Sequence, residues 1–151
     1  MKSKVFRYAF FVRYLALVCL SLGGCSLKEE DQSQIGVVKF SDPGGKVGTV
    51  IQLDIKGHRL CQTLNSDVWN GIQASCGDCK KQSDSCSATL ASEYKSVINN
   101  NPYRLPYASS GNTRVIFDGA PAALLKSQCE TTANEFSKAP GGTGRCILPT
   151  S

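Results

Sequence analysis

Over residues 47–55 apolar and polar side chains alternate. Val47, Thr49, Ile51, Leu53 and Ile55 fall on one face, and Gly48, Val50, Gln52 and Asp54 on the other. A period of two predicts a half-buried β-strand. Residues 35–40 (IGVVKF) predict a strand before it, with the turn cluster Ser41-Asp42-Pro43-Gly44-Gly45 between them. Residues 58–64 (HRLCQTL) read as a return strand after a Lys56-Gly57 turn, so 35–64 predict an antiparallel meander. Residues 65–86 read as a loop with Trp69 and Ile72 turned inward.

Further along, the period lengthens. Leu90, Tyr94 and Val97 share a helical face with Ala91 and Ile98 beside it. A helix is therefore predicted from a Ser85 or Ser87 cap to Asn99, where Asn99-Asn100-Asn101-Pro102 stops it. Residues 113–117 (TRVIF) predict a strand. Pro121 then opens the clearest helix, whose stripe is Leu125, Cys129, Thr132 and Phe136 and whose end is Pro140-Gly141-Gly142. Residues 145–148 predict a last edge strand. This order predicts an α+β fold: a small antiparallel sheet with two helices on one face, stapled by disulfides. No internal sequence repeat is visible.

The first 24 residues do not belong to this pattern. Lys2, Lys4, Arg7 and Arg13 form a basic region without acids, followed by the apolar stretch 14–22 and then Gly23-Gly24-Cys25. This is the layout of a secretory signal peptide. Nine apolar residues in a helix reach about 14 Å, short of the ~30 Å bilayer core. Leu22-Gly23-Gly24-Cys25 resembles the lipobox of bacterial lipoproteins. That resemblance covers residues 1–26 and implies cleavage after Gly24, a diacylglycerol thioether on Cys25 and acylation of the new N-terminus. Ser26 after the cysteine resembles the outer-membrane sorting pattern. The expected organisation is a signal peptide at 1–24, a lipidated N-terminus and polar tether at 25–34, and one domain at 35–151. The expected location is the cell envelope, with the lipid in the outer membrane and the domain facing the periplasm.

Removing the signal changes the charge. Four of the 17 basic residues and none of the 12 acidic ones leave with it, so 13 basic residues face 12 acidic ones. The apparent basic balance belongs to targeting. Nothing suggests nucleic acid, which needs a basic stripe.

Cysteine usage follows from the address. Cys19 leaves with the signal and Cys25 takes the lipid. Cys61, Cys76, Cys79, Cys86, Cys129 and Cys146 remain. An even number in a small domain within an oxidising compartment predicts three disulfides. Cys129 is expected to pair with Cys146, leaving the first four to pair among themselves. Within those four, Cys76-Gly77-Asp78-Cys79-Lys80 resembles the C-G-x-C-K of thioredoxin-like proteins. That resemblance implies thiol–disulfide exchange, the alternative function. The buried strand that should precede such a motif is replaced by the polar stretch 65–71. Cys76, Cys79, Cys86 and His58, the only histidine, could supply four zinc ligands, but thiolates in an oxidising space become disulfides. The expectation is therefore no metal and no other cofactor.

No G-x-S-x-G or H-E-x-x-H occurs and the acids are scattered, so no catalytic residue is assigned and an enzyme is the lesser expectation. The most site-like stretch is Pro102-Tyr103-Arg104-Leu105-Pro106-Tyr107. Tyr103, Arg104 and Tyr107 are the candidate partner-binding loop. The expected function is a lipid-anchored envelope protein with a non-enzymatic binding domain in an accessory, inhibitory or immunity/exclusion role. Its partners would be the membrane, through Cys25, and an envelope protein or glycan.

Overall fold

The computed structural model describes residues 32–150. The expected signal peptide, the expected lipid site at Cys25 and the expected tether through residue 31 lie outside the described residues. The elements are β1 (Ser33–Ser41), β2 (Val47–Lys56), α1 (His58–Ser75), β3 (Lys80–Ser87), a 3-10 turn (Ser92–Tyr94) running into α2 (Lys95–Ile98), β4 (Tyr107–Ser110), β5 (Thr113–Asp118), α3 (Ala122–Lys138) and β6 (Arg145–Ile147). All six strands join one antiparallel sheet in the order β3-β1-β2-β5-β4-β6. The two long helices lie on one face, α1 over β1–β3 and α3 over β4–β6. The fold is α+β with three disulfides, as expected.

Helix α1, strands β3 and β4 and the segment 87–99 differ from expectation. Residues 58–75 form helix α1, not a return strand and a loop, because Cys61, Leu64, Asn65, Val68 and Ile72 recur at three- and four-residue spacing. Residues 80–87, expected to be loop, form edge strand β3 against β1. The helix expected over 87–99 shrinks to the 3-10 turn and the single turn of α2. Its apolar stripe is nevertheless real: Tyr94 and Val97 are buried, and Leu90 and Ile98 pack beside them. The Ser87 hydroxyl accepts the Thr89 N–H (3.2 Å), a local turn that starts no helix.

In β2 the alternation breaks near its end. Gln34 faces Ile55 while Gly36 faces Gln52, so β2 carries one extra residue, and Asp54 sits there at φ 54°. This bulge turns Ile55 to the helix side. A Cβ on Gly36 would collide there with the Asn65 side chain and touch Ile55, so only glycine fits beneath α1.

The topology repeats where the sequence does not. Residues 33–87 run β-β-α-β, and residues 107–147 run β-β-α-β again. Each half pairs its last strand with its first and joins its helix to that last strand by a disulfide: Cys61–Cys86 in one, Cys129–Cys146 in the other. The registers match residue by residue. Cys86, Gly36 and Gln52 stand side by side in the first half, and Cys146, Ala108 and Val115 in the second. Ile51 faces Val37 and Arg114, while Arg114 faces Ser109 and Ile51. A pseudo-twofold axis therefore passes through the Ile51–Arg114 pair. No disulfide crosses from one half to the other.

The core on the face opposite α1 and α3 consists of Ile51, Leu53, Tyr107 and Ile116 from the sheet with Tyr94, Val97 and Tyr103 from the crossover 88–106, which carries α2. Arg114, only 4% exposed, lies beneath that crossover. Its guanidinium donates to the carbonyls of Val97 (3.2 Å), Ile98 (3.4 Å), Gly111 (2.6 Å) and Thr113 (2.9 Å). Two of these are carbonyls of α2, which an arginine satisfies as a cap. Burial pulls the Arg114 pKa below its ordinary value, with a smaller opposing effect from Tyr107.

Candidate functional site

The crossover does not cover the whole face opposite α1 and α3. It leaves a trough of two adjoining clefts, which Lys39, Glu93 and Tyr94 line in common. The first, about 190 Å³, has Ile35 and Val37 of β1 at its base and Ser83, Ser85 and Ser87 of β3 along one wall. These serines share a face because strand side chains alternate. The second, about 160 Å³, is lined by Thr49, Tyr103, Arg104 and Asp118 besides the shared residues.

Charge is concentrated where the clefts meet. The Lys39 ammonium lies 3.7 Å from a Glu93 carboxylate oxygen and 5.2 Å from the centre of the Tyr94 ring. The Tyr94 phenol first, and then Glu93, hold its pKa above the ordinary value, against a smaller lowering by burial. Tyr94 and Tyr103 are tilted neighbours with ring centroids 6.1 Å apart, a separation within the aromatic-pair range.

The expected partner-binding loop divides in two. Tyr107 is fully buried, and its hydroxyl donates to the Asn101 carbonyl (2.8 Å). Burial raises its pKa, so it stays a neutral core phenol and presents no docking surface. Tyr103 is mostly buried, with one side on the second cleft. Arg104 is exposed. Its Nε donates to the Tyr103 hydroxyl (3.1 Å), and its guanidinium carbon lies 5.6 Å from the Tyr103 ring. The residues missed from sequence are Lys39, Glu93 and Asp118, which come from β1, the 3-10 turn and β5. No local motif marks them, because only the sheet register and the crossover bring them together.

All six cysteines among the described residues are paired, as Cys61–Cys86, Cys76–Cys79 and Cys129–Cys146. The thiolates of the conceivable zinc set are thereby consumed. His58 lies at the exposed start of α1, its Nε2 3.2 Å from Gln62 Nε2. Among the described residues no group of three His, Cys, Asp or Glu could hold a metal ion.

The Cys76–Cys79 pair closes the turn between α1 and β3. The Cys76 N–H donates to the Ile72 carbonyl (2.8 Å), so the cysteine ends the helix. A helix C-terminus disfavours a thiolate, whereas exchange-active cysteines draw stability from a helix N-terminus. The second half makes the same α-to-β connection with Ala139-Pro140-Gly141-Gly142-Thr143-Gly144, which has no cysteine. The motif thus occupies a place where the fold needs a turn. Replacing both Cys76 and Cys79 by alanine should lower stability by only about 1–2 kcal/mol, since the closed loop is short. Chemical denaturation measures this, and a loss above twice that range would contradict the turn-closing role.

Among the described residues no helix is long and apolar enough to cross a membrane. No family model, curated protein or solved structure matches this chain.

Proposed function

We propose that the chain is a lipid-anchored cell-envelope protein, tethered through Cys25, whose domain is a non-enzymatic binding module for an extended segment of an envelope partner. The trough carries this reading. Its two clefts adjoin at Lys39, Glu93 and Tyr94, and each is smaller than the roughly 300–1,000 Å³ of an enclosed small-molecule site. Hydroxyls, aromatic rings and charges of both signs line it, which suits a polar chain laid across the face. The leader, the lipobox-like Leu22-Gly23-Gly24-Cys25 and the complete pairing of the remaining cysteines support export to an oxidising compartment. Accessory, inhibitory and immunity or exclusion roles all belong to this class.

Two measurements test the proposal. Palmitate labelling should be lost in Cys25→Ser. A photo-crosslinking residue in place of Ser85, exposed on the wall of the first cleft, should trap a discrete envelope partner in cells. The same residue in place of Asn134, exposed on α3, should not. Equal trapping at both positions, or none at Ser85, would remove the trough as the binding face.

A further inference from the structure

We infer that the second cleft is a subsite for a zwitterionic amino-acid group, its carboxylate held by Arg104 and its ammonium held between Glu93 and Asp118. This rests on the trough being the ligand site and adds the chemistry of the occupant.

Arg104 and the two carboxylates line this cleft without the guanidinium closing on either. Asp118 and Glu93 are the carboxylates whose fields act on Arg104. Among the described residues, no ion pair within 4.0 Å joins the guanidinium to either. The backbone keeps them apart. Arg104 follows the buried Tyr103 on the crossover, and Asp118 ends β5, opposite Val47.

Each charged group is also partly held in place. The Arg104 Nε is fixed on the Tyr103 hydroxyl, which leaves both terminal nitrogens without a partner among the described residues. One Asp118 carboxylate oxygen accepts the Gly119 N–H (2.7 Å), which leaves the other oxygen. Glu93 engages Lys39 at the long distance of 3.7 Å.

An anion alone would meet Arg104 but face two carboxylates, and a cation alone would face Arg104 and Lys39. A ligand carrying both charges pairs with both walls, and the repulsion against singly charged competitors supplies the specificity. About 160 Å³ suits an amino-acid or dipeptide group.

The test is a titration of the full-length lipoprotein in detergent, followed by backbone amide NMR shifts. The probes are alanylalanine, its N-acetyl derivative and its C-terminal amide, at neutral pH and low salt. Alanylalanine should shift Thr49, Arg104 and Asp118, and blocking either end should weaken binding at least tenfold. Arg104→Ala should abolish the preference for a free carboxylate, and Asp118→Asn the preference for a free ammonium. Both residues are exposed or at a strand end, and amide spectra of the variants report that the fold is kept. Free and blocked dipeptides binding alike, or shifts mapping away from the cleft, would overturn the inference. If no dipeptide binds while the crosslinker at Ser85 still traps a partner, the zwitterion subsite falls and the trough stands. If alanylalanine binds as expected while trapping fails, the subsite stands without the envelope partner.

Discussion

Arg114→Met is expected to lower the free energy of unfolding by about 3–5 kcal/mol, because hydrogen bonds from a charged donor contribute about 1.5–3 kcal/mol each, offset in part by relief of the guanidinium's own desolvation. The aliphatic stem is replaced nearly in kind, so the loss reports the guanidinium. Four carbonyls lose their donor at once, and those of Val97 and Ile98 lie where the crossover meets the sheet. A buried acceptor left without a donor carries a desolvation penalty of its own, about 1–3 kcal/mol. Urea unfolding should show a midpoint lowered by roughly 2 M for a slope near 2 kcal/mol/M, with the slope unchanged. Arg114→Lys should recover part of the loss, since an ammonium keeps the charge but cannot span four acceptors as the planar fork does. The trough should suffer with it, because Tyr94 and Tyr103 depend on the seating of the same crossover. A loss below about 1 kcal/mol for Arg114→Met would show that the four bonds do not hold the segment down.

The second large effect concerns the two helix-to-edge disulfides. Replacing Cys129 and Cys146 by alanine removes the closure of a 17-residue separation, and replacing Cys61 and Cys86 that of a 25-residue separation. The chain-entropy relation assigns about 3 kcal/mol to the first and slightly more to the second. The two staples lie in different halves and share no partner, so their effects should add. Together they approach the whole stability of an ordinary domain, roughly 5–15 kcal/mol. Thermal unfolding of the two pairwise variants and of the fourfold variant tests this. The fourfold variant should be largely unfolded at ambient temperature. A fourfold variant that melts near the wild type would mean that the edge strands are held by pairing and packing alone.

What could be read from the sequence follows where a single period rules. Strands β1, β2 and β5 and helix α3 announce themselves because their buried positions are apolar and regularly spaced. Helix α1 hides because one of its core positions is Asn65. Its amide donates to the Ser85 carbonyl (2.9 Å) and points at the Cys86 sulfur (3.5 Å), so a polar residue occupies a buried stripe. Strand β3 hides for the opposite reason. Of its eight residues only Cys86 is even partly buried, so no core face is written into KKQSDSCS, and pairing with β1 makes it a strand. Tyr107 misleads in another way. An aromatic beside prolines resembles a docking loop, yet its ring fills the core while its hydroxyl reaches a backbone carbonyl. Of the trough, Tyr103 and Arg104 are legible in the sequence. The remainder comes from β1, β2, β3, the 3-10 turn and β5, which only the folded chain brings together, and the internal repetition lies in register and disulfide placement rather than in residue identity.

The position of β1 has a mechanical consequence. The chain enters the described domain at this strand, and β1 is interior, bonded to β2 on one side and β3 on the other. Tension arriving from the N-terminus runs along the strand and loads both ladders in shear, so many hydrogen bonds must fail together. The same pull on an edge strand would unzip them one at a time. The other end of the chain leaves through edge strand β6, which Cys146 bolts to α3. A domain held by its first residues against a moving surface is thus gripped at a strand braced on both sides.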